Sequence, residues 1–405
     1  MDLKSGYPFW AIKSGLMAAF PRPRTDLRCD VAVVGGGITG ALVADELQRA
    51  GHDVVVLEQR DVAWGSTAAS TALLQYEIDT HMVDLAKRYG EDAAVLAYRS
   101  CVRAIGRLQS LARGLRDVDF ARMESLYYAS RRRDRRALED EFALRRKHRF
   151  DVAWLEPGDI RERFGFEAPA AILSAVAASV DPYRMTCKLL ARVRKRGGAV
   201  HDRCAVASMK VSPRSVRLTL EDGLSVVAGH VVMAAGYANE RWLPQRVAKN
   251  RSSYAFVTDP LDKDMLGALA GTMLWETARP YLYLRATADD RLLVGGDDDA
   301  IDIPARRDAR VDRKARGLAR KVGKLFPRVR WEPTFSWAGT FAETKDGLPF
   351  FGAHEGVGKR VLFAMAYGGN GITYSAIGTQ LVRAAIERRR HPLSELFSFE
   401  RLRWT

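Results

Sequence analysis

Apolar and polar positions near the N-terminus follow a strand, helix, strand order. Residues 31–34 form a short apolar run without polar alternation, as a buried parallel strand does. Residues 41–50 continue with apolar positions on one helical side, and Gly51 ends that pattern. A second apolar run then follows at residues 54–57. The pattern predicts two parallel strands joined by a helix.

The rest of the chain alternates between the same two periods. An apolar run at residues 360–366, a glycine-rich turn and a helix at 374–388 repeat the N-terminal order. From residue 251 the pattern changes to short strands that predict a separate antiparallel sheet. We therefore expect an α/β protein with two lobes, since 405 residues exceed one ordinary core.

The turn after the first predicted strand contains Gly35, Gly37 and Gly40 in the spacing G-x-G-x-x-G. In this motif the glycines allow a tight turn, close approach of a pyrophosphate and close packing of the helix on the strand. Glu58 stands at the tip of the second strand, where an acid accepts hydrogen bonds from a ribose. The motif predicts a bound FAD or NAD. The alternative is a structural glycine turn in another α/β domain.

The amino-acid composition excludes fewer classes of function than the glycine motif does. The net charge of +15 comes from 64 basic and 49 acidic residues and permits contact with nucleic acid. The densest basic stretch, residues 131–149, alternates acids with bases at helical spacing, which favours a solvated helix face over a nucleic-acid site. The four cysteines lack C-x-x-C spacing and the histidines are scattered, so we expect free thiols and no metal site.

No apolar run reaches the length of a membrane span, and residues 16–24 make a poor signal peptide, so we expect a cytoplasmic protein. Residues 1–28 are expected to form an arm on the core. Tyr281, Tyr283 and Arg285 alternate along one predicted strand and so share a face. Such a face can line a pocket for a small anion, or it can be an amphipathic strand whose arginine is solvated.

Taken together, these motifs resemble the D-amino-acid oxidase and glycine oxidase superfamily of FAD-dependent oxidoreductases. Beyond Gly35–Gly40 and Glu58, the resemblance rests on six segments, at residues 65–71, 181–182, 231–236, 291–296, 346–349 and 368–373. It extends over nearly the whole chain after the arm. Because the motifs occur in the family's order, the resemblance favours FAD over NAD.

The resemblance implies a Rossmann-type, glutathione-reductase-like FAD lobe and a second α+β lobe on a mixed, largely antiparallel sheet. The FAD-binding domain would comprise residues 29–80, 151–250 and 331–405, and the substrate domain residues 81–150 and 251–330. The implied FAD contacts are Gly35, Gly37, Ile38, Thr39, Gly40, Glu58, Gln59, Arg60, Ser66, Thr67, Ser70, Thr71, Val206, Gly236, Gly368, Gly369, Asn370, Gly371, Ile372 and Thr373.

By resemblance, the reaction is hydride transfer from a carbon beside the nitrogen of a small amine or amino acid to flavin N5, with oxygen or another compound as electron acceptor. Related oxidases carry a carboxylate-binding arginine where this chain has Phe341. Either Arg285 or Lys345 would substitute for that arginine, or the substrate is not a simple α-amino acid. The expected substrate contacts are Tyr283 and Arg285, with Phe341 and Glu343 as further candidates. The more distantly resembled sarcosine oxidases attach flavin through a cysteine in the same region. Gly339 is near that place here and no cysteine is, so we expect non-covalent FAD. Oxidation of a 2-hydroxy acid or polyol stays open as an alternative, as does a role with nucleic acid.

Overall fold

The computed structural model describes residues 2–300 and 302–403. Its seventeen described strands are β1 Leu27–Val34, β2 Val54–Leu57, β3 Leu73–Gln75, β4 Ala121–Tyr128, β5 Val152–Leu155, β6 Ala171–Ser179, β7 Ala199–His201, β8 Val206–Val211, β9 Val216–Leu220, β10 Ser225–Met233, β11 Lys249–Val257, β12 Thr272–Glu276, β13 Leu282–Ala286, β14 Leu292–Asp299, β15 Phe335–Glu343, β16 Phe350–Ala353 and β17 Val361–Met365.

The α-helices alternate with these strands along the chain. They are α1 Phe9–Ser14, α2 Ile38–Arg49, α3 Ser66–Ala69, α4 Met82–Tyr89, α5 Glu91–Arg113, α6 Arg135–Lys147, α7 Pro157–Phe164, α8 Pro182–Lys195, α9 Lys263–Leu266, α10 Pro304–Asp308, α11 Val311–Leu325 and α12 Gly371–Ile386. Short 3₁₀ turns lie at Arg132–Asp134, Gly236–Trp242, Gly267–Ala270 and Phe399–Arg403.

The first sheet has parallel strands at its centre. Its order is β16-β17-β10-β1-β2-β7, and the strands from β17 to β7 run parallel to their neighbours. The hairpin β8–β9 joins β10, and β16 pairs antiparallel to β17. Strand β2 is buried along its length and β1 over residues 31–34, as the apolar runs predicted. Helices α2, α8 and α12 pack on one another and on these strands.

The second sheet is mixed and largely antiparallel. Its order is β15-β11-β14-β13-β12-β4-β6-β3, and β5 pairs with β6. Only the β12–β4 pair, among the described strands of this sheet, is parallel. Helix α11 packs across β11, β14 and β15. The two sheets confirm the expected α/β class with a second α+β lobe.

The sheets divide the chain differently from the predicted domain boundaries in three places. Strand β3, strands β5 and β6, and strand β15 lie in segments predicted for the FAD-binding domain, yet all of them belong to the second sheet. Helix α5, predicted for the substrate domain, packs on α12 and also on strands β3 and β6 of the second sheet. The cause is that the chain crosses between the sheets more often than the changes of sequence pattern indicate.

The N-terminal segment, residues 2–26, is pinned to the second sheet and to the helices beside it. Lys4 forms a β-bridge with Gly339, and the N–H of Thr340 donates to the carbonyl of Leu3 at 2.9 Å. Helix α1 then packs against α3, α8 and β15. Within the described part of the chain, no helix combines the length and the apolar character that a membrane crossing requires.

Candidate active site

A cavity of about 300 Å³ lies where the two sheets meet. Most residues predicted to bind FAD line it, namely Gly35, Gly37, Ile38, Thr39, Glu58, Gln59, Arg60, Ser66, Thr67, Ser70, Thr71, Val206, Gly236, Gly368, Gly369, Asn370, Gly371 and Ile372. Gly40 and Thr373, each the third residue of its helix, lie outside the lining. The fold therefore brings the two glycine-rich segments, more than 300 positions apart in the chain, to one cavity.

The first glycine turn is shaped by close approach of backbone segments. Gly35 has a φ of 116°, and a Cβ there would overlap the carbonyl oxygen of Ala234 on the neighbouring strand end. A Cβ on Gly40 would likewise overlap the carbonyl oxygen of Gly35. Gly37 precedes α2, and the N–H of Ile38 donates to Oγ1 of Thr67 at 2.9 Å. The turn thus presents the amide end of a 12-residue helix to the cavity.

Glu58 closes this end of the cavity. Its carboxylate accepts hydrogen bonds from the N–H of Gly36 at 2.8 Å and from the N–H of Arg60 at 2.9 Å. Burial raises the pKa of Glu58, and these two amide hydrogen bonds oppose the rise. An acid held this way at the tip of β2 has the position and the chemistry that a ribose diol requires.

The second glycine turn precedes α12 and is tied to residues 75–79. The N–H of Gly369 donates to Oδ2 of Asp79 at 2.8 Å, and the side-chain amide of Asn370 donates to the carbonyl of Glu77 at 2.6 Å. Oγ1 of Thr373 donates to the carbonyl of Gln75 at 3.1 Å. The amide end of this 16-residue helix is therefore held against the same cavity.

Beyond the second turn the cavity widens into what we call the chamber, bounded by Asp79, Ser253, Trp275, Tyr281, Tyr283, Asp298 and Phe341. The ring of Trp275 stacks on Tyr127 with centroids 3.7 Å apart. The hydroxyls of Tyr283 and Ser253 are 3.3 Å apart, and burial raises the pKa of Tyr283 to about 12, which keeps that phenol protonated at neutral pH. The chamber is thus aromatic on several sides, with two carboxyl groups.

Of the four predicted substrate contacts, the structure brings two to the chamber. Tyr283 and Phe341 line it, whereas Arg285 and Glu343 do not. Glu343 is half-exposed and pairs with Arg251 on the adjacent strand. Lys345, the substitute cation, is exposed and also lies outside the lining.

The position of Arg285 corrects the prediction that it clamps a substrate carboxylate. Its side chain is 2 % exposed and donates to the carbonyls of Thr71, Ala286 and Val180 at 2.8, 3.0 and 3.3 Å. Burial lowers the pKa of Arg285 to about 10, so the guanidinium stays charged at neutral pH. The arginine shares a strand face with Tyr283, as predicted, but it lies past the end of the chamber beneath Trp10 of the N-terminal segment.

Several lining residues were not found from the sequence. Asp79, Gln75 and Trp275 carried no motif, and Asp298 stands within three consecutive acids that look like an exposed turn. The sequence feature that could have identified Asp298 is its position two residues after the glycine pair Gly295–Gly296. Leu3 also lines the cavity, because the N-terminal segment runs beside β15.

The loop after α3 is braced by two indoles. Nε1 of Trp10 donates to the carbonyl of Ser70 at 2.7 Å, and Nε1 of Trp337 donates to the carbonyl of Ala69 at 2.9 Å. The ring of Phe9 stacks on Trp337. These contacts fix the backbone of a loop whose small side chains face the cavity.

The four cysteines are free thiols. Cys204 lies in the cavity wall near Val206, and burial raises the pKa of its thiol to about 11. Over residues 2–300 and 302–403, no group of three or more His, Cys, Asp and Glu side chains could hold a metal ion.

A glycine turn on the first parallel strand, an acid on the second and an aromatic chamber under a second sheet define a two-lobed dinucleotide-binding oxidoreductase fold. The chain belongs to the FAD dependent oxidoreductase (DAO) family, whose model matches residues 30–384. The cofactor is therefore FAD, and the glycine turn and Glu58 offer the amides and the acid that its pyrophosphate and ribose require.

Similar proteins cover most of this chain. The gamma-glutamylputrescine oxidoreductase of Escherichia coli (strain K12) is 26 % identical over 386 residues, which are 92 % of this chain and 87 % of that protein. The glycine oxidase of Geobacillus kaustophilus (strain HTA426) is 26 % identical over 376 residues, 89 % of this chain and 94 % of its own. A crystal structure of glycine oxidase from Geobacillus kaustophilus superposes with a TM-score of 0.75 at 20 % identity, covering 92 % of this chain and 98 % of that one.

Proposed function

We propose that this chain oxidises the carbon beside the nitrogen of a small amine or amino acid and passes the hydride to non-covalently bound FAD. The observation that carries the proposal is a single cavity that joins the two helix amide ends to the aromatic chamber. The relatives' names support it, since one denotes an enzyme acting on gamma-glutamylputrescine and another an oxidase of glycine.

In this proposal Gly35, Gly37, Ile38, Thr39 and Gly40 place the pyrophosphate at the start of α2, and Glu58 accepts from the adenosine ribose. Gln59, Arg60 and Val206 lie at the adenine end. The carbonyl of Val206 already accepts from Arg241 at 3.1 Å, so its contact with adenine would come from other backbone atoms.

The remaining contacts belong to the flavin. Ser66, Thr67, Ser70 and Thr71 would run along its ring, with Gly236 beside it. The turn at Gly368, Gly369, Asn370, Gly371, Ile372 and Thr373 would meet its pyrimidine edge, where the amide end of α12 favours negative charge. When bound, FAD supplies a two-electron acceptor at N5.

In the chamber, where the substrate reacts, side chains of this chain bind and orient the substrate. Trp275, Tyr283 and Phe341 shape a chamber that limits water and orients the substrate carbon. The substrate carbon and its nitrogen gain positive charge as the hydride leaves, and a carboxylate of the chamber lining, which includes Asp79 and Asp298, would stabilise that charge. The discontinuous division into FAD and substrate domains, the electron acceptor and the cytoplasmic location stay predictions from the sequence.

The test begins with the purified protein. We expect a yellow protein with a flavin spectrum, whose colour bleaches without oxygen when an amine or amino acid substrate is added. Acid precipitation should release all of the flavin into the supernatant, because the one cysteine in the described cavity wall, Cys204, lies at the adenine end as a protonated thiol. A flavin that stays with the pellet would contradict non-covalent binding, and a panel of amines and amino acids without bleaching would contradict the reaction.

A further inference from the structure

The basic side chains that line the described cavity lie at one of its ends. Arg60 and Arg241 lie at the adenine end, beside Glu58 and Val206. In the chamber, the charged lining residues of the described chain are Asp79 and Asp298. The end where a substrate would react is therefore acidic, and the arginine expected there for a carboxylate is replaced by Phe341.

Asp298 is a half-buried residue whose carboxyl group has one oxygen that no donor satisfies. Its Oδ1 atom is buried and has no hydrogen-bond partner, although the side chain contacts Ser253. Burial raises the pKa of Asp298 to about 6, so the group still ionises at neutral pH. A buried carboxylate oxygen without a hydrogen-bond donor has lost its contact with water and gained nothing in exchange, which costs free energy. A ligand that enters the chamber and donates a hydrogen bond to this oxygen recovers part of that free energy.

Asp79, the other carboxyl group of the chamber, accepts more hydrogen bonds than Asp298 does. It accepts from the N–H of Gly369 at 2.8 Å and from the hydroxyl of Tyr281 at 3.3 Å. Arg279 lies next to it, stacked on Tyr281, and donates to the carbonyl of Asp79 at 3.3 Å. Glu343 also faces this region but is paired with Arg251. Arg279 acts electrostatically on both Asp79 and Asp298, so a single positive charge faces two carboxyl groups.

The aromatic walls of the chamber also favour a cationic ligand. Trp275, Tyr281 and Tyr283 present aromatic rings, and aromatic faces attract cations. An ammonium group donates up to three hydrogen bonds and gains from both carboxylate and ring contacts. A carboxylate placed in the same chamber meets like charge and finds no lining cation.

We propose that the chamber binds the ammonium group of a substrate through Asp298, with Asp79 as a second carboxylate, and that the substrate is an amine or diamine without a carboxylate beside the reacting carbon. The bound ammonium gives one proton to the Asp298 carboxylate before the hydride leaves, because only the neutral amine has the nitrogen lone pair that forms the C=N bond of the product. This inference rests on the proposed function and names its substrate class. It also accounts for Phe341, because a substrate of this kind needs no arginine at that position.

Binding tests the inference without turnover. The flavin of the holoenzyme is first reduced under anaerobic conditions, so that butylamine cannot be oxidised. The reduced protein is then titrated with butylamine and with butanoate at pH 8, and the heat of binding reports occupancy of the chamber. We expect butylamine, which is protonated there, to bind at least tenfold more tightly than butanoate. Asp298→Asn should weaken butylamine at least tenfold. Asp297→Asn is the matched control, since that neighbouring acid pairs with Lys314 and Lys321 outside the cavity and should leave binding unchanged.

Turnover separates this inference from the proposed function. Anaerobic bleaching is compared for butylamine, 1,4-diaminobutane and 2-aminobutanoate, which share a four-carbon chain. We expect the two amines to bleach the flavin faster than the amino acid. Tighter binding of butanoate, faster bleaching by 2-aminobutanoate, or equal butylamine affinity in the two variants overturns the inference. Ammonium binding that depends on Asp298 without any bleaching would instead overturn the proposed reaction. If Asp298→Asn does not fold, the two ligands still decide the question on the wild-type protein.

Discussion

The carboxylate of Glu58 accepts a hydrogen bond from the N–H of Gly36 at 2.8 Å, which joins the acid at the tip of β2 to the glycine turn after β1. The same carboxylate also accepts from the N–H of Arg60. Two elements of the dinucleotide motif, 22 residues apart in the chain, thus hold each other in place. The acid has a positioning role as well as a place at the cavity wall.

Replacing Glu58 with glutamine should weaken FAD binding. The amide keeps one acceptor oxygen but loses the charge, and a hydrogen bond to a charged group contributes about 1.5–3 kcal/mol. We expect the Kd for FAD to rise by about 10- to 100-fold, measured by quenching of flavin fluorescence during reconstitution of the apoprotein. Glu355→Gln serves as the control, because that exposed acid pairs with Arg403 far from the cavity. Equal affinities in the two variants would contradict the role of Glu58.

A methyl group at Gly40 should prevent the turn from forming. The added Cβ would lie 1.9 Å from the carbonyl oxygen of Gly35, and backbone cannot turn aside as the end of a side chain can. We expect Gly40→Ala to be purified without flavin, seen as loss of absorption near 450 nm. Gly106→Ala is the matched control, because Gly106 is exposed within α5 with open space around it. Alanine there should raise the free energy of unfolding by about 0.5–1 kcal/mol. A fully yellow Gly40→Ala protein would refute this account of the turn.

The sequence predicted the adenine end of the cavity because its determinants are local. Gly35, Gly40 and Glu58 occupy one strand, helix, strand unit, so their spacing alone fixes their geometry. The alanine-rich strand β6 was not predicted as a strand, since it is buried along most of its length and shows no alternation.

The chamber depends on contacts that spacing does not encode. Asp79 comes from a segment tied to α12, and Asp298 comes from a strand whose pairing with β11 shifts in register beside it. Arg285 was assigned to the chamber because it shares a face with Tyr283. The strand extends past the chamber, however, and the N-terminal segment covers the arginine there.

Arg285→Met should therefore change stability and not substrate binding. Removing the guanidinium leaves three carbonyl groups without their donor, including that of Thr71 beside the cavity. We expect the free energy of unfolding to fall by about 2–4 kcal/mol, measured by denaturant titration, with KM unchanged in the protein that remains folded. Tyr283→Phe should show the opposite pattern, because its hydroxyl lies in the chamber wall. A large rise in KM for Arg285→Met, with an unchanged free energy of unfolding, would instead support the prediction that Arg285 binds a substrate carboxylate.

The free energy of unfolding should fall as pH rises, because ionising Asp298 in the folded protein is unfavourable. The folded protein raises the pKa of this carboxyl from an ordinary 3.8 to about 6, chiefly because it is buried. The folded state therefore holds the proton more tightly than the unfolded state, so the associated stability is present below about pH 4 and is lost as pH rises through 6. The loss amounts to at most about 3 kcal/mol.

Asp298→Asn removes this titration. We expect the apoprotein of the variant to melt at a higher temperature than the wild type at pH 8, with the difference shrinking towards pH 4. Subtracting one melting profile from the other isolates Asp298 from the other carboxyl groups that titrate in that range, including Asp181. In the holoenzyme at pH 8, butylamine should raise the melting temperature of the wild type more than that of the variant, since it stabilises the ionised form of Asp298. A variant that is less stable than the wild type at pH 8 would mean that the carboxylate is satisfied within the fold, and Asp298 would then have no unmatched charge to offer a substrate.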